Sequence, residues 1–398
     1  MWSMSLVAEM TASFDLFNLE DKLSPAHRAL RDEVRAFVES TVKPKINPYW
    51  DKAEFPWEIA HHMKALPIWG GMLQGHGCAG LDVLSVGLVS YELGRGDGSI
   101  STFYGVQSGL AMASIGLLGS EEQKQRWLPS MAALDKIGAF GLTEPTNGSD
   151  AAGLRSTARR EGGEYILNGA KRWIGNASMS QVLLIWARDE EGKLGVFVIE
   201  NPQEVEGVTL RVIEGKIGKR AVLNADITLE NVRVPAENRL ANVRSFRDAA
   251  LVLGFGRYGV SWEAAGVASA VFEMALDYAK NREQFGKPIA SYQLIQQKLA
   301  EMATEVSLMQ LICYQLAENI SQGNYNEAML SMAKYNNARK ARQVAMLARE
   351  TLGGNGILIE NHIARLMMDA EVMYTYEGSN EVNLLIVGRH LTGINAVS

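Results

Sequence analysis

The sequence predicts an α+β multidomain protein. An N-terminal α-helical domain covers 1–139, a middle β-sandwich-like domain 140–245, and a C-terminal four-helix bundle 246–398. Three observations predict this. Apolar residues recur at helical spacing in the first and last blocks. Between those blocks they shift to short apolar runs joined by hairpin signals. Gly, Pro and Asn punctuate the changes. A chain of 398 residues is long enough for two or three such units.

In the first block, Ser24-Pro25 is a cap followed by Pro at the first helical position. Leu30, Val34, Phe37 and Val38 then share one helical face. Pro48, Pro56 and Pro67 interrupt the pattern, and the Gly-rich stretch 70–81 reads as a loop. Helices are expected over 83–95 and 101–118, and a short one over 121–134 that breaks at Pro129.

In the second block, Gly162-Gly163 joins two short runs as a hairpin. Further strands are expected over 182–187, 195–199, 208–213 and 225–234. In the third, Ile295, Leu299, Met302, Val306, Met309, Cys313, Leu316 and Ile320 alternate steps of four and three. That seam predicts a long helix in a bundle. An Ala-rich helix over 327–352 ends at Gly353-Gly354-Asn355-Gly356, a C-cap signal.

Composition narrows the function. With 47% hydrophobic and 21% charged residues, the chain reads as an ordinary globular protein. A net charge of -6 argues against nucleic acid or a membrane surface as the main partner. The two cysteines, Cys78 and Cys313, make no disulfide framework and suit a reducing, cytoplasmic setting. Six scattered His residues offer no metal site. Residues 1–14 lack the pattern of a signal peptide, residues 395–398 are not a Ser-Lys-Leu tail, and no apolar run is long enough to span a bilayer.

Four stretches could carry chemistry. The first is Met373-Tyr374-Thr375-Tyr376-Glu377-Gly378-Ser379-Asn380. It places Glu377 at a turn between two helices, the second capped by Ser379 or Asn380. A carboxylate there can face a cleft and act as a base. The second, 141–150, offers hydroxyls and turn N–H groups to a phosphate or a flavin edge. It is not a Gly-x-Gly-x-x-Gly fingerprint in a βαβ unit. The third, Lys171-Arg172-Trp173-Ile174-Gly175-Asn176, sets an indole beside a Gly. The fourth, Arg282-Glu283-Gln284-Phe285-Gly286-Lys287-Pro288, holds an Arg able to meet a pyrophosphate. Alone, each has a structural alternative: a solvated turn Glu, an ordinary turn, a core Trp, and an Arg answering a helix dipole.

Together, in this order and at these separations, the stretches resemble the acyl-CoA dehydrogenase family along nearly the whole chain. Arg257-Tyr258-Gly259-Val260, Gln293-Leu294-Ile295-Gln296-Gln297-Lys298-Leu299, Leu352-Gly353-Gly354-Asn355-Gly356-Ile357, Tyr376-Glu377-Gly378 and Leu391-Thr392-Gly393-Ile394 resemble the glutaryl-CoA dehydrogenase branch and the related plant short-chain acyl-CoA oxidases. The resemblance implies FAD in a cleft between the β and C-terminal domains, and a homotetramer in which two subunits hold each flavin. It implies flavin contacts from Leu142, Thr143, Ser149, Trp173, Ile174, Gly175 and Ser379, with Arg282, Gln293, Gly353 and Gly354 reaching the ADP half across a subunit interface. Ser101, Ser149, Arg257 and Gly378 would line the acyl-CoA site. Glu377 would remove the α proton while the β carbon gives a hydride to flavin N5. Gly256 stands where some branches carry the base instead.

Three departures from the family pattern shape the expectation. Ser101 and Gly105 stand where glutaryl-CoA enzymes hold the distal carboxylate with an Arg and a Ser. A buried carboxylate would lack a partner there. The expected substrate is thus a short or branched, non-dicarboxylic acyl-CoA, oxidised to the trans-2-enoyl-CoA without decarboxylation. Gly175 replaces a Thr common among relatives, which leaves electron-transferring flavoprotein or O2 as acceptor, the latter making an acyl-CoA oxidase. Glu350 replaces a Gln near the adenine, at a rim where an acid is tolerated. A flavin monooxygenase on the same fold would not need Glu377, and a flavin-less assembly protein would purify without yellow colour.

Overall fold

The computed structural model describes residues 14–396, so nearly all of the N-terminal stretch and the last two residues, on which the targeting expectations rest, lie outside it. The first block folds as α1 (Pro25–Phe37), α2 (Ile46–Lys52), α3 (Trp57–Met63), α4 (Val83–Gly96) and α5 (Gly98–Tyr104), then a π-helical segment, Gly105–Met112, and α6 (Ala113–Leu118) and α7 (Glu121–Ala132). Ser24 caps α1, its hydroxyl accepting from the His27 N–H at 3.2 Å. The helix expected over 101–118 is therefore interrupted by a widened turn, a feature often found at functional sites. The break expected at Pro129 does not occur: α7 runs through it to Ala132. Pro129 sits in the last turn, and burial of Trp127, Leu128 and Met131 offsets the lost hydrogen bond.

The middle block holds β1 (Gly138–Gly141), β2 (Thr157–Glu161), β3 (Glu164–Gly175), β4 (Val182–Asp189), β5 (Leu194–Glu200), β6 (Val208–Val212) and β7 (Asn224–Pro235). All seven join one sheet in the order β1-β4-β2-β3-β7-β6, with β5 on β4. Tyr165, Leu167, Ile185, Phe197, Ile227 and Leu229, from four strands, share a single core. Between Lys171 and Ile174 the β3–β7 register slips, and Trp173 adopts a φ of 66°. A bulge of this kind re-aims a side chain, here the indole.

The third block comprises α8 (Phe246–Asn281), a tight hairpin of β8 (Glu283–Gln284) and β9 (Lys287–Pro288), α9 (Gln293–Ser321), α10 (Glu327–Thr351), α11 (Ile363–Met373) and α12 (Asn380–Thr392). Met302, Val306, Met309, Cys313 and Leu316 of the expected seam are buried; Ile295, Leu299 and Ile320 at its ends are partly so. Helix α4 packs against α8 through glycines. A Cβ on Gly94 would lie 2.6 Å from the Glu263 carbonyl, and one on Gly266 2.0 Å from that of Tyr91.

The blocks are tied together by Asp369 of α11. Its carboxylate accepts from Trp50 Nε1 at 2.9 Å, from the Gly98 N–H at 3.2 Å and from the Lys219 N–H at 2.5 Å. Buried Arg365 pairs with Asp97 beside it. This knot anchors the loop before β7, which carries Lys219 to the site described next.

Candidate active site

A cavity of about 1590 Å³ opens where the blocks meet. Helix α5 and the π-helical segment contribute Ser101, Thr102 and Gly105, and α8 contributes Gly256 and Arg257. The α11–α12 turn brings Glu377, Gly378 and Ser379, while the β block supplies Leu142, Thr143, Ser149, Trp173, Ile174 and Gly175.

Glu377 sits on a turn built to hold it. Its φ is 56° and that of Gly378 is 79°, so two successive residues are left-handed. The non-glycine one costs about 1 kcal/mol or more. The turn persists because its carbonyls are gripped from below. Lys334 of α10 donates to Gly378 O at 2.8 Å and Tyr374 O at 3.3 Å. Asn383 Nδ2 donates to Gly378 O at 2.8 Å and Ser379 O at 3.1 Å. Ser379 caps α12, accepting from the Val382 N–H. Among the described residues the Glu377 N–H has no acceptor, which leaves it available to a bound oxygen.

The Glu377 carboxylate lies against the backbone of α8. A Cβ on Gly256 would fall 2.3 Å from its Oε2, so only glycine admits the side chain in this position. That oxygen is shut from solvent and has no hydrogen-bond partner. Burial pushes the carboxyl up to about 7, against the pull of Arg257, Lys334 and Lys219. Burial likewise pushes the Lys334 ammonium down to about 7. Arg257 Nη1 meets Glu327 Oε1 at 3.0 Å, and Arg389 holds the other oxygen of Glu327 at 2.9 Å.

A closed polar ring stands beside Glu377. Lys219 Nζ donates to Glu263 Oε1 at 2.6 Å, to Tyr376 OH at 2.6 Å and to Thr102 Oγ1 at 2.7 Å. Tyr376 OH donates to Glu263 Oε2 at 2.6 Å. Every donor of the ammonium is used, and both Lys219 and Glu263 are buried.

On the β side, the 141–150 turn is locked by Glu144. It accepts from Lys171 Nζ at 2.8 Å, Ser156 Oγ at 2.6 Å and the Arg155 N–H at 2.6 Å. Trp173, thrown out by the bulge, leaves 52% of its surface exposed, with the Arg172 guanidinium 5.2 Å from its ring centre. An exposed indole beside Gly175 and the Leu142–Thr143 backbone fits a flat heteroaromatic ring with a polar edge. The residues present thus suit a flavin.

Arg282, Gln293, Gly353 and Gly354 do not reach this cavity. They lie exposed toward the far end of α8, where Asn355 Nδ2 meets Tyr278 OH at 2.9 Å and Ile289 N meets Arg282 O at 2.8 Å. Glu350 pairs with Lys298 at 2.8 Å on the exposed surface.

Sequence reasoning missed Lys219, Glu263, Lys334, Asn383 and the Glu144–Lys171 pair. A Lys in the string Lys216-Ile217-Gly218-Lys219-Arg220 reads as a solvated loop charge; nothing local signals burial. Among the described residues, no cluster of His, Cys, Asp and Glu could hold a metal ion, and no helix is long and apolar enough to cross a membrane.

Known proteins share this sequence and this fold. Family models for the acyl-CoA dehydrogenase N-terminal, middle and C-terminal domains match residues 24–135, 139–232 and 246–392. The chain is 35% identical over 371 residues to a 3-(aryl)acrylate reductase of Clostridium sporogenes, covering 92% of this chain and 98% of that protein. It is 34% identical to an acyl-CoA dehydrogenase of Bacillus subtilis, covering 92% and 97%. Its fold matches glutaryl-CoA dehydrogenase from Mycobacterium smegmatis with a TM-score of 0.93, 39% identity and coverage of 96% and 99%. A structure of glutaryl-CoA dehydrogenase from that organism in complex with FADH2 matches at 0.94, 37% identity, 97% and 99%. The chain belongs to the acyl-CoA dehydrogenase family of FAD-dependent oxidoreductases.

Proposed function

We propose that this enzyme dehydrogenates a short or branched, non-dicarboxylic acyl-CoA to the trans-2-enoyl-CoA, with Glu377 as the base. The observation that carries this reading is the Glu377 carboxylate, buried in the cavity wall with Oε2 unpartnered and its proton affinity raised to about 7. Such a group takes a proton near neutral pH, the property an α-proton abstraction needs. The free Glu377 N–H is the donor for the thioester carbonyl, where negative charge develops. FAD, when bound, supplies the two-electron acceptor for the β hydrogen. Leu142, Thr143, Ser149, Trp173, Ile174, Gly175 and Ser379 would hold its flavin part.

The substrate assignment rests on Ser101 and Gly105. Neither carries charge, and a Cβ on Gly105 would meet nothing within 4 Å. A carboxylate at the acyl end would find no free cation from these positions. Arg257, already near the mouth residues Glu327 and Arg389, would meet the CoA moiety. The Arg282, Gln293 and Gly353-Gly354 end suits a flavin shared between subunits of a homotetramer. Phe285 there is 95% exposed and Leu294 75%, surface that a second subunit would cover.

Electron-transferring flavoprotein is the proposed acceptor, and an acyl-CoA oxidase is the second reading. Gly175 favours the latter: a Cβ there would lie 3.1 Å from Val106 Cγ2, so this wall has no hydroxyl and little room for one. Anaerobic mixing with butyryl-, isobutyryl- and glutaryl-CoA tests the proposal. Bleaching of the yellow flavin by the first two and not by glutaryl-CoA is expected; bleaching by glutaryl-CoA alone would overturn it. Peroxide on admitting air would select the oxidase.

A further inference from the structure

Among the described residues the ring beside Glu377 makes no hydrogen bond to its carboxylate, yet it places a buried ammonium and a buried carboxylate at the cavity wall. Charges are rarely buried without cause, because taking an ion out of water is costly. Here the loop before β7 is knotted to Asp369 through the Lys219 N–H, and Lys219 has a φ of 48°. The backbone is thus held in a strained position that delivers the side chain to Glu263. Thr102, next to Ser101 on α5, and Tyr376, next to Glu377, complete the ring.

We propose that the Lys219–Glu263 pair is a specificity-determining element: a charge-balanced wall that admits a neutral acyl group and rejects one bearing its own carboxylate. Glu263 masks the cation. An entering carboxylate would have to displace Glu263 from Lys219, leaving one of two buried anions unpaired. Selectivity against dicarboxylic acyl groups then comes from two sources, the missing cation at Ser101 and Gly105 and the neutralised cation at Lys219. The inference rests on the acyl-CoA reading given above.

The same pair bears on the base. Glu377 is faced by Arg257 from α8, by Lys334 from α10 and by Lys219 from the loop before β7, with Glu263 and the Tyr376 hydroxyl behind Lys219. Glu381 of α12 acts in turn on Lys334. Removing one member of the pair leaves the other's charge uncompensated near Glu377, and the sign depends on which is removed.

The test uses holoenzyme carrying Glu263→Gln, Lys219→Met or Lys219→Arg, checked for flavin content. In Glu263→Gln, affinity for glutaryl-CoA relative to butyryl-CoA should rise on the order of tenfold, the worth of one charged hydrogen bond. That affinity is read on the reduced enzyme, which cannot turn over a saturated acyl-CoA. The acid limb of kcat/KM for butyryl-CoA should move to lower pH in Glu263→Gln and to higher pH in Lys219→Met. Lys219→Arg, which keeps the charge, should leave the position of the limb near that of wild type, whatever it costs in rate. Limbs that move the same way, or an unchanged affinity ratio, would overturn the inference. A purely structural ring predicts losses without opposite signs. If Glu263→Gln cannot hold flavin, Lys219→Met against Lys219→Arg decides: Lys219→Met leaves the Glu263 anion unmasked, and a glutaryl-to-butyryl affinity ratio no lower there than in Lys219→Arg overturns the proposal. A wild-type enzyme bleached by no acyl-CoA would refute the functional reading itself, whereas wild-type bleaching without the split refutes only this inference.

Discussion

Glu144 and Glu377 are both glutamates in turns beside the same cavity, and their surroundings drive them in opposite directions. Glu144 is fully hydrogen-bonded, by Lys171, Ser156 and the Arg155 N–H. Burial alone would push its carboxyl up, but these donors outweigh it and hold it down at about 2. Glu377 has an oxygen with no donor at all, and burial wins, lifting it to about 7. The contrast shows how surroundings suit one residue type to two different jobs. A satisfied carboxylate fixes a turn; an unsatisfied one is kept poised to accept a proton.

The sharpest way to break the comparison is to neutralise each in turn. Glu377→Gln should lower the rate of anaerobic flavin bleaching by about 1,000-fold or more while flavin is retained. Retained turnover would remove the base from the argument. Gly256→Ala comes next. Its Cβ would displace Oε2, and a misplacement of about 1 Å should cost on the order of 100-fold in kcat. Glu144→Gln should act through stability instead. Leaving Lys171 unpaired costs about 3–5 kcal/mol, seen as a lower melting temperature and flavin loss, with residual holoenzyme keeping its pH profile.

The smallest effect is pH itself. Glu377, the proposed base, can act only when ionised, and its proton affinity is raised. The active form is therefore gained as pH rises through about 7, and kcat/KM should fall about tenfold per unit well below it. Glu144 runs the other way. Its folded value is depressed below the ordinary 4.5, so its stabilising contribution is present above that value and lost as pH falls through about 2. Burial holds Lys171 down to about 8, so between about pH 5 and 7 activity should change while the share of stability from the Glu144–Lys171 pair does not; parallel loss of both would contradict the assignment.

Much of this was legible in the chain. The change of period at residues 140 and 246, the Ser24-Pro25 cap, the Met302–Leu316 seam and the Glu377-Gly378-Ser379 turn are local patterns, and local patterns survive in sequence. Pro129 misled because its cost is local while the burial of Trp127 and Met131 that offsets it is not. The bulge that exposes Trp173 was also hidden. It depends on how β3 registers against β7, some 50 residues away, in round terms.

By itself, then, the sequence determined the three-block architecture, the flavin-type motif set and the candidate base. Tertiary structure alone decided what that base feels. Lys334, Asn383, Gly256 and the Lys219–Glu263 ring come from separate helices and a distant loop, and only folding sets their charges and empty spaces against Glu377. Proton affinity is a property of the environment in space, and spacing along the chain does not encode that environment.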